Sequence, residues 1–519
     1  MKARFGADTN GVYAALALLI LAFPILLVWG DGQWFGSDEW SFIANRKLPS
    51  GAGLFGNHNG HWVTIPLVLY RVNYELFGLH SYVPYQILVI LSHLTIAGLM
   101  HMLMRRAGVR AWIATGLLVA FVFLGAGWGN ILFAFQITLN GSVIAGLAQF
   151  VLADHKGAWS RRDTLGVSIA VLGLMTSAVM PALSVGVGAF VLLNRGWRVA
   201  AAHTVPPAVV FGLWWMAYGG AEDSDPQPWR IAQFAFHMIR QAFEGIGQST
   251  IGGVILMLIA ALGMWTAFAK WRESGNIRPL AIPVGLLTAA IAFASLTGFN
   301  RSGFGVDIAG TAGIGRYMHV CAALLLPIIA IGAQKLWTLR KPFVLVPLVV
   351  VALAMPDNAD QLRNRGPFTT GNRDLVLAVA HSPYLDQAPG DLEPLLFQEV
   401  RVAWLRRELA AGALPDLPID AAPLTVLNAD ASLALTTSDT SDGTCEDKSE
   451  AGIWRQEVER GTTIVIERAA RLFVVEGDNR SSARRLNPGD RVRIQAGPIE
   501  LELLGVDGTP PVSCLIPAS

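Results

Sequence analysis

The residues that could do chemistry sit in a few polar stretches of an otherwise apolar chain. The first is "WFGSDEWSF", residues 34–42, where Asp38 and Glu39 stand side by side between Trp34 and Trp40. It follows "VYAALALLILAFPILLVW", eighteen residues at positions 12–29 without a charge. Two carboxylates at the lip of an apolar segment admit two readings. They can complement the positive end of a short helix, "SDEWSFIANRKL", with Ser37 as its N-cap. Alternatively, they are a catalytic acid pair held at a membrane surface.

The stretch "NHNGHWVTIPLVLYRVNYELFGLHSYVPY" adds His58, His61, Arg71, Glu75 and His80. Two histidines three apart can touch a metal, but the motif holds no third ligand. A hydrogen bond from His58 or His61 to a substrate hydroxyl or a carboxylate is the favoured role. The part from Trp62 to Gly78 is too polar for a span and suits a helix lying in the interface, whose Arg71 joins the substrate-binding candidates. In "GIGRYMHVC", residues 313–321, Arg316 stands where a loop enters an apolar segment. It can snorkel to the interface, or it can clamp an anionic phosphate in bidentate fashion. Tyr317 can add a hydrogen bond, and Arg301 is a second cation in the same loop. His93, in "ILSHL", reads as a satisfied core histidine.

These residues are positioned by a membrane domain. The chain is 53% hydrophobic and 15% charged, against about 25% charged in soluble domains. That predicts a polytopic α-helical membrane protein. A net charge of +1 gives no field for nucleic acid. Apolar segments recur near 12–29, 83–104, 111–127, 137–153, 164–178, 179–193, 199–218, 250–269, 279–297, 317–334 and 342–355, about eleven spans. The pair across Met180-Pro181 is one apolar stretch with arginines at both ends (Arg161 and Arg162; Arg195 and Arg198), so the chain must cross twice and turn near "SAVMP". The first segment lacks a small-x-small cleavage site and reads as an uncleaved span. Basic residues at Lys2, Arg4, Arg105, Arg106, Arg110, Lys156, Lys270, Arg272, Arg278, Lys335, Arg340 and Lys341 mark the cytoplasmic loops. They place the N-terminus in the cytoplasm and everything after residue 355 outside. The outside regions are then loop 30–82, loop 219–249 with the interfacial pattern "PWRIAQFAFHMIRQAF", loop 298–316, and the C-terminal portion.

Residues 1–355 form the transmembrane domain on this reading, 356–420 an extracytoplasmic, partly helical linker, and 421–519 an extracytoplasmic β-sandwich of short strands divided by Gly, Asn, Asp and Pro turns. Trp454 is the one tryptophan from 421 onward, so a folded cap is favoured over a sugar-stacking surface. Cys321 reads as a small core residue. Cys445 and Cys514 can pair in an oxidising compartment, closing a loop of roughly 70 residues worth about 4 kcal/mol.

The layout resembles the GT-C superfamily of membrane glycosyltransferases over about residues 1–355. The features that carry the resemblance are the long first loop with "DEW" (Asp38-Glu39-Trp40), the run "GHW...IPLVLYR...LFG", "PYQILVILSHL" entering the second span, and "GRYMHV". An extracytoplasmic, often β-rich C-terminal domain is also common there. The resemblance implies a multi-pass enzyme of the bacterial plasma (inner) membrane. It would move a sugar from a polyprenyl-phosphate donor to a glycan, lipid or protein acceptor at the outer face, with inversion and a carboxylate base that takes the proton of the acceptor hydroxyl; of the pair, Asp38 is favoured as that base and Glu39 as its orienter or as ligand of a divalent metal, Mg or Mn. Arg316, Tyr317, His58, His61, Arg71 and Arg301 would hold the lipid phosphate and substrate. A transporter or flippase of a lipid-linked glycan would instead need ionisable residues deep in its spans or an inverted repeat. A structural envelope protein presenting the β domain would not need eleven spans.

Overall fold

The computed structural model describes residues 8–46, 51–220, 227–303, 305–364, 370–394, 399–416, 421–437, 453–506 and 510–517. Lys2, Arg4 and Cys445 lie outside the described residues. The chain divides into two compact units: residues 1–33, 47–70 and 83–367 form the first, and 34–46, 71–82 and 368–519 the second.

In the first unit, every one of the apolar segments folds as a helix. Among the described residues, eight helices are long and apolar enough to cross a membrane: Thr9–Trp29, Val83–Arg106, Ala134–Ala153, Trp197–Tyr218, Thr250–Ser274, Arg278–Arg301, Gly315–Leu339 and Lys341–Asn364. A further pair, Ala111–Val122 and Gly125–Leu132, is one apolar segment bent by 52°. The apolar stretch around Met180-Pro181 is two shorter helices, Arg161–Leu174 and Met180–Arg195, with Pro181 in the first turn of the second. Proline cannot continue a helix but suits its first turn, so the break falls where the sequence places the turn.

Gly315–Leu339 is central, buried almost continuously from Tyr317 to Ala333. Small residues let its neighbours approach: a Cβ on Gly332 would collide with the Ile259 carbonyl of the Thr250–Ser274 helix. Backbones packed this closely gain dispersion where lipid offers no hydrophobic drive. The far end of the Arg161–Leu174 helix is held by a buried cluster. Asp163 closes a capping box with Ser160 and is shared by Arg195, His155 and His203. The buried carboxylate is thus fully paired, which a buried charge requires.

Helix Pro228–Gly247 buries Phe234, Met238, Ala242 and Phe243 and leaves Trp229 and Phe236 exposed. It is the amphipathic helix the sequence predicts in loop 219–249.

The second unit contains the acidic segment and the C-terminal portion together. Strands β1 (Asn57–His58) and β2 (His61–Trp62) belong to the first unit; the antiparallel strands of the second are β3 (Leu435–Thr437), β4 (Ile453–Val458), β5 (Thr463–Ile466), β6 (Ala470–Glu476), β7 (Asn479–Arg480), β8 (Arg484–Leu486), β9 (Arg491–Ile494), β10 (Ile499–Gly505) and β11 (Ser513–Ile516). One sheet has the order β4-β10-β6-β7 with β8 on β6, the other β11-β5-β9-β3. Leu472, Val474, Leu501 and Leu503 of the first sheet and Ile464, Ile466, Val492 and Ile494 of the second share one core. A helix, Pro423–Ala434, precedes the strands and contributes Leu427 to that core. Cys514 is disulfide-bonded, while Cys321 is a free, buried thiol.

Candidate functional site

The predicted site residues fall into two sets, one in each unit. In the second unit, the acidic segment is a turn leading into a π-helical turn, Ser41–Asn45. Ser37 is not an N-cap: its φ of 48° is left-handed, a conformation costly for a residue with a side chain. The cap comes from Glu39, whose Oε2 accepts the Gly36 N–H at 3.0 Å. Its Oε1 accepts the Tyr82 hydroxyl at 2.8 Å, and the residue is fully buried. Trp34, Phe35, Trp40, Tyr82 and Trp404 pack on one another in the same segment, with Phe35 and Tyr82 edge to face at 5.0 Å and Trp40 and Trp404 at 6.1 Å. Asp38, by contrast, is partly exposed. The pair therefore divides: Glu39 builds the turn, and Asp38 is the carboxylate presented from it.

A third carboxylate joins them from sequence far downstream. Glu399 has a left-handed φ of 72°, and its Oε2 is buried with no hydrogen-bond partner among the described residues. Burial raises its pKa above the usual carboxylate range, with Asp38 and Glu393 adding to the rise and a Ser41 hydrogen bond and Arg46 opposing it. Arg71 serves this set as a brace, donating from Nη2 to the Arg46 carbonyl at 2.6 Å. Its guanidinium pKa is lowered by burial.

The fit of a divalent ion to Asp38 and Glu39 is poor. Both Glu39 oxygens already accept hydrogen bonds, and among the described residues no three His, Cys, Asp or Glu side chains converge as metal ligands.

The other set belongs to the first unit. Strands β1 (Asn57–His58) and β2 (His61–Trp62) form a hairpin in which His58 and His61 are directly paired. The linking residues Asn59 and Gly60 have φ of 49° and 79°. That is the two-residue turn for which Asn-Gly is the strongest sequence signal, and "HNGH" carries it. Trp62 stacks on Trp214 at 5.4 Å, and His58 lies against Phe135 at 5.5 Å. His61 Nδ1 accepts the Ala178 N–H at 3.0 Å and lies 3.0 Å from the Ser177 hydroxyl.

Arg301 ends the Arg278–Arg301 helix and Arg316 opens the Gly315–Leu339 helix. The loop between them is fixed by Arg230, whose guanidinium donates to the carbonyls of Ser302, Gly303 and Val306. Arg316 lies 5.3 Å from the Tyr317 ring centre; Tyr317 itself is buried between Phe234 and Phe293. The His61 pKa falls to about 4, first through burial and then through the charges of His58, Arg316 and Arg301. Neutral His61 and two arginines thus share one end of the helix bundle. Such a group offers hydrogen-bond donors and positive charge to an oxyanion.

No protein-family model matches the chain, and no curated protein does. The chain is similar to two solved structures of ArnT from Cupriavidus metallidurans. To the apo state it has a TM-score of 0.44 and 14% identity, covering 78% of this chain and 85% of that one. To the state bound to undecaprenyl phosphate it has a TM-score of 0.46 and 14% identity, covering 77% and 85%.

Proposed function

We propose that the protein is a membrane glycosyltransferase. It takes a sugar from a polyprenyl-phosphate donor and passes it to a glycan, lipid or protein of the cell envelope at the outer face of the bacterial plasma membrane. The observation that carries this reading is the gathering of Arg301, Arg316 and His61 at one end of an apolar helix bundle. A phosphate attached to a lipid needs cationic ligands at the depth where headgroup meets hydrocarbon.

The chemistry is a single displacement. Asp38, the presented carboxylate, takes the proton of the acceptor hydroxyl as its oxygen bonds to the anomeric carbon. The bond from that carbon to the phosphate oxygen breaks, and the electron pair leaves with the lipid phosphate. One displacement inverts the anomeric centre. Arg316 and Arg301 neutralise the charge that grows on the leaving phosphate. Glu39 keeps the turn that presents Asp38 in place.

Binding of a polyprenyl monophosphate to the protein in nanodiscs tests this without a guess at the sugar. Saturable binding that weakens about tenfold or more in Arg316→Ala is expected, the scale of one lost charge-assisted contact. Equal binding by both proteins, or none by either, overturns the assignment.

A further inference from the structure

The hairpin carrying His61 is docked on the turn between the Arg161–Leu174 and Met180–Arg195 helices. Ile65 N–H donates to the Met175 carbonyl at 3.1 Å. The turn is itself fixed from a neighbouring helix, where the Ser142 hydroxyl lies 3.0 Å from the carbonyls of Gly173 and Ser177 and 2.9 Å from Thr176 Oγ1. Against this rigid backing the Ala178 N–H points at His61 Nδ1.

A backbone amide can only donate. Nδ1 must therefore be a bare acceptor, since a proton there would oppose the amide hydrogen. In a neutral imidazole the remaining proton then sits on Nε2. Nε2 lies on the far side of the ring from the turn, and the described residues give it no partner. The charged groups that act on the ring are His58, Arg301 and Arg316, and all of them disfavour a second proton.

We infer that His61 is a tautomer-locked neutral donor, offering its Nε2–H to an oxygen of the anion held by Arg301 and Arg316. It is then neither a base nor a metal ligand. A donor without charge adds a direction to the site that two flexible guanidinium groups do not. This ligand role rests on the lipid-phosphate reading above; the tautomer does not.

Two measurements separate them. The first is nitrogen NMR of histidine-labelled full-length protein in nanodiscs, with the His61 signal assigned by its loss in His61→Asn. A proton on Nε2 alone, unchanged between about pH 5 and 8, is expected. A proton on Nδ1, or a doubly protonated ring in that range, overturns the lock. The second is polyprenyl monophosphate binding by His61→Asn, which keeps an acceptor oxygen for Ala178 but has no donor at the Nε2 position. Binding weaker by roughly tenfold or more, at an unchanged melting temperature, is expected. Wild-type affinity in His61→Asn, with Arg316→Ala still weakened, overturns the donor role and leaves the phosphate site standing. Failure of the wild type to bind removes both.

Discussion

Asp38 and Glu39 are neighbours of the same chemical class, yet their surroundings give them different work. Asp38→Asn is expected to lower turnover about a hundredfold to ten-thousandfold, the range for loss of a general base. Glu39→Ala should act on stability first, leaving the buried Gly36 N–H without its acceptor at a cost of about 1–3 kcal/mol. Thermal melting of the two variants beside a donor-turnover assay reads both effects, and an Asp38→Asn protein with wild-type turnover would sink the division of roles. The acid pair and its place at an apolar lip are legible in the sequence, because local spacing sets them. Its division is not, because the groups that claim Glu39 come from Gly36 and from Tyr82, and the aromatic wall includes Trp404. Glu399 is further out of reach, since no local pattern ties it to residue 38.

At the scale of elements, the helices are legible because long runs of mostly apolar residues, nearly free of charge, leave a chain in lipid few choices. The turn before Pro181 is legible for the same reason, from charge at both ends of a stretch too long for one crossing. The 57–62 hairpin was open to the same reading through Asn59-Gly60, but two-residue strands give almost no periodicity to draw attention to it. What no pattern announces is close approach. Gly315 begins the helix that carries Arg316, and a Cβ there would run into the Ala126 carbonyl. A carbonyl in a packed turn cannot rotate aside, so Gly315→Ala must shift the first helical turn and Arg316 with it. The expected result is a loss of about 1–3 kcal/mol in stability together with weaker phosphate binding. Gly129→Ala, where nothing lies within 4 Å of the added carbon, is the control and should change neither. Wild-type phosphate binding in Gly315→Ala would show that Arg316 does not depend on this contact.

For the molecule as a whole, the apolar composition reports the helical unit and says little about the other, whose polar sequence follows ordinary soluble rules of strand, turn and core. The β-strands after residue 434 are legible from their turn residues, and the helix Pro423–Ala434 ahead of them is not, since its sequence, "PLTVLNADASLA", mixes helix and strand formers. That helix holds the group by which the second unit should respond to pH. Asp430 is buried and hydrogen-bonded to Ser382; burial first, with the Glu476 charge adding to it, raises its pKa from the ordinary 3.8 to about 6. Between those values the folded chain holds a proton that the unfolded chain has released. Stability contributed by this group is therefore full below about pH 4 and falls as pH rises to about 6, by about 3 kcal/mol at most, with no further change above. Asp430→Asn keeps an acceptor for Ser382 and cannot ionise, so it should remove this decline. Melting temperatures of the full chain across that range, wild type against Asp430→Asn, give the difference directly. Parallel curves would mean that the carboxyl ionises in the folded protein as readily as in water, and that the pocket around it admits solvent.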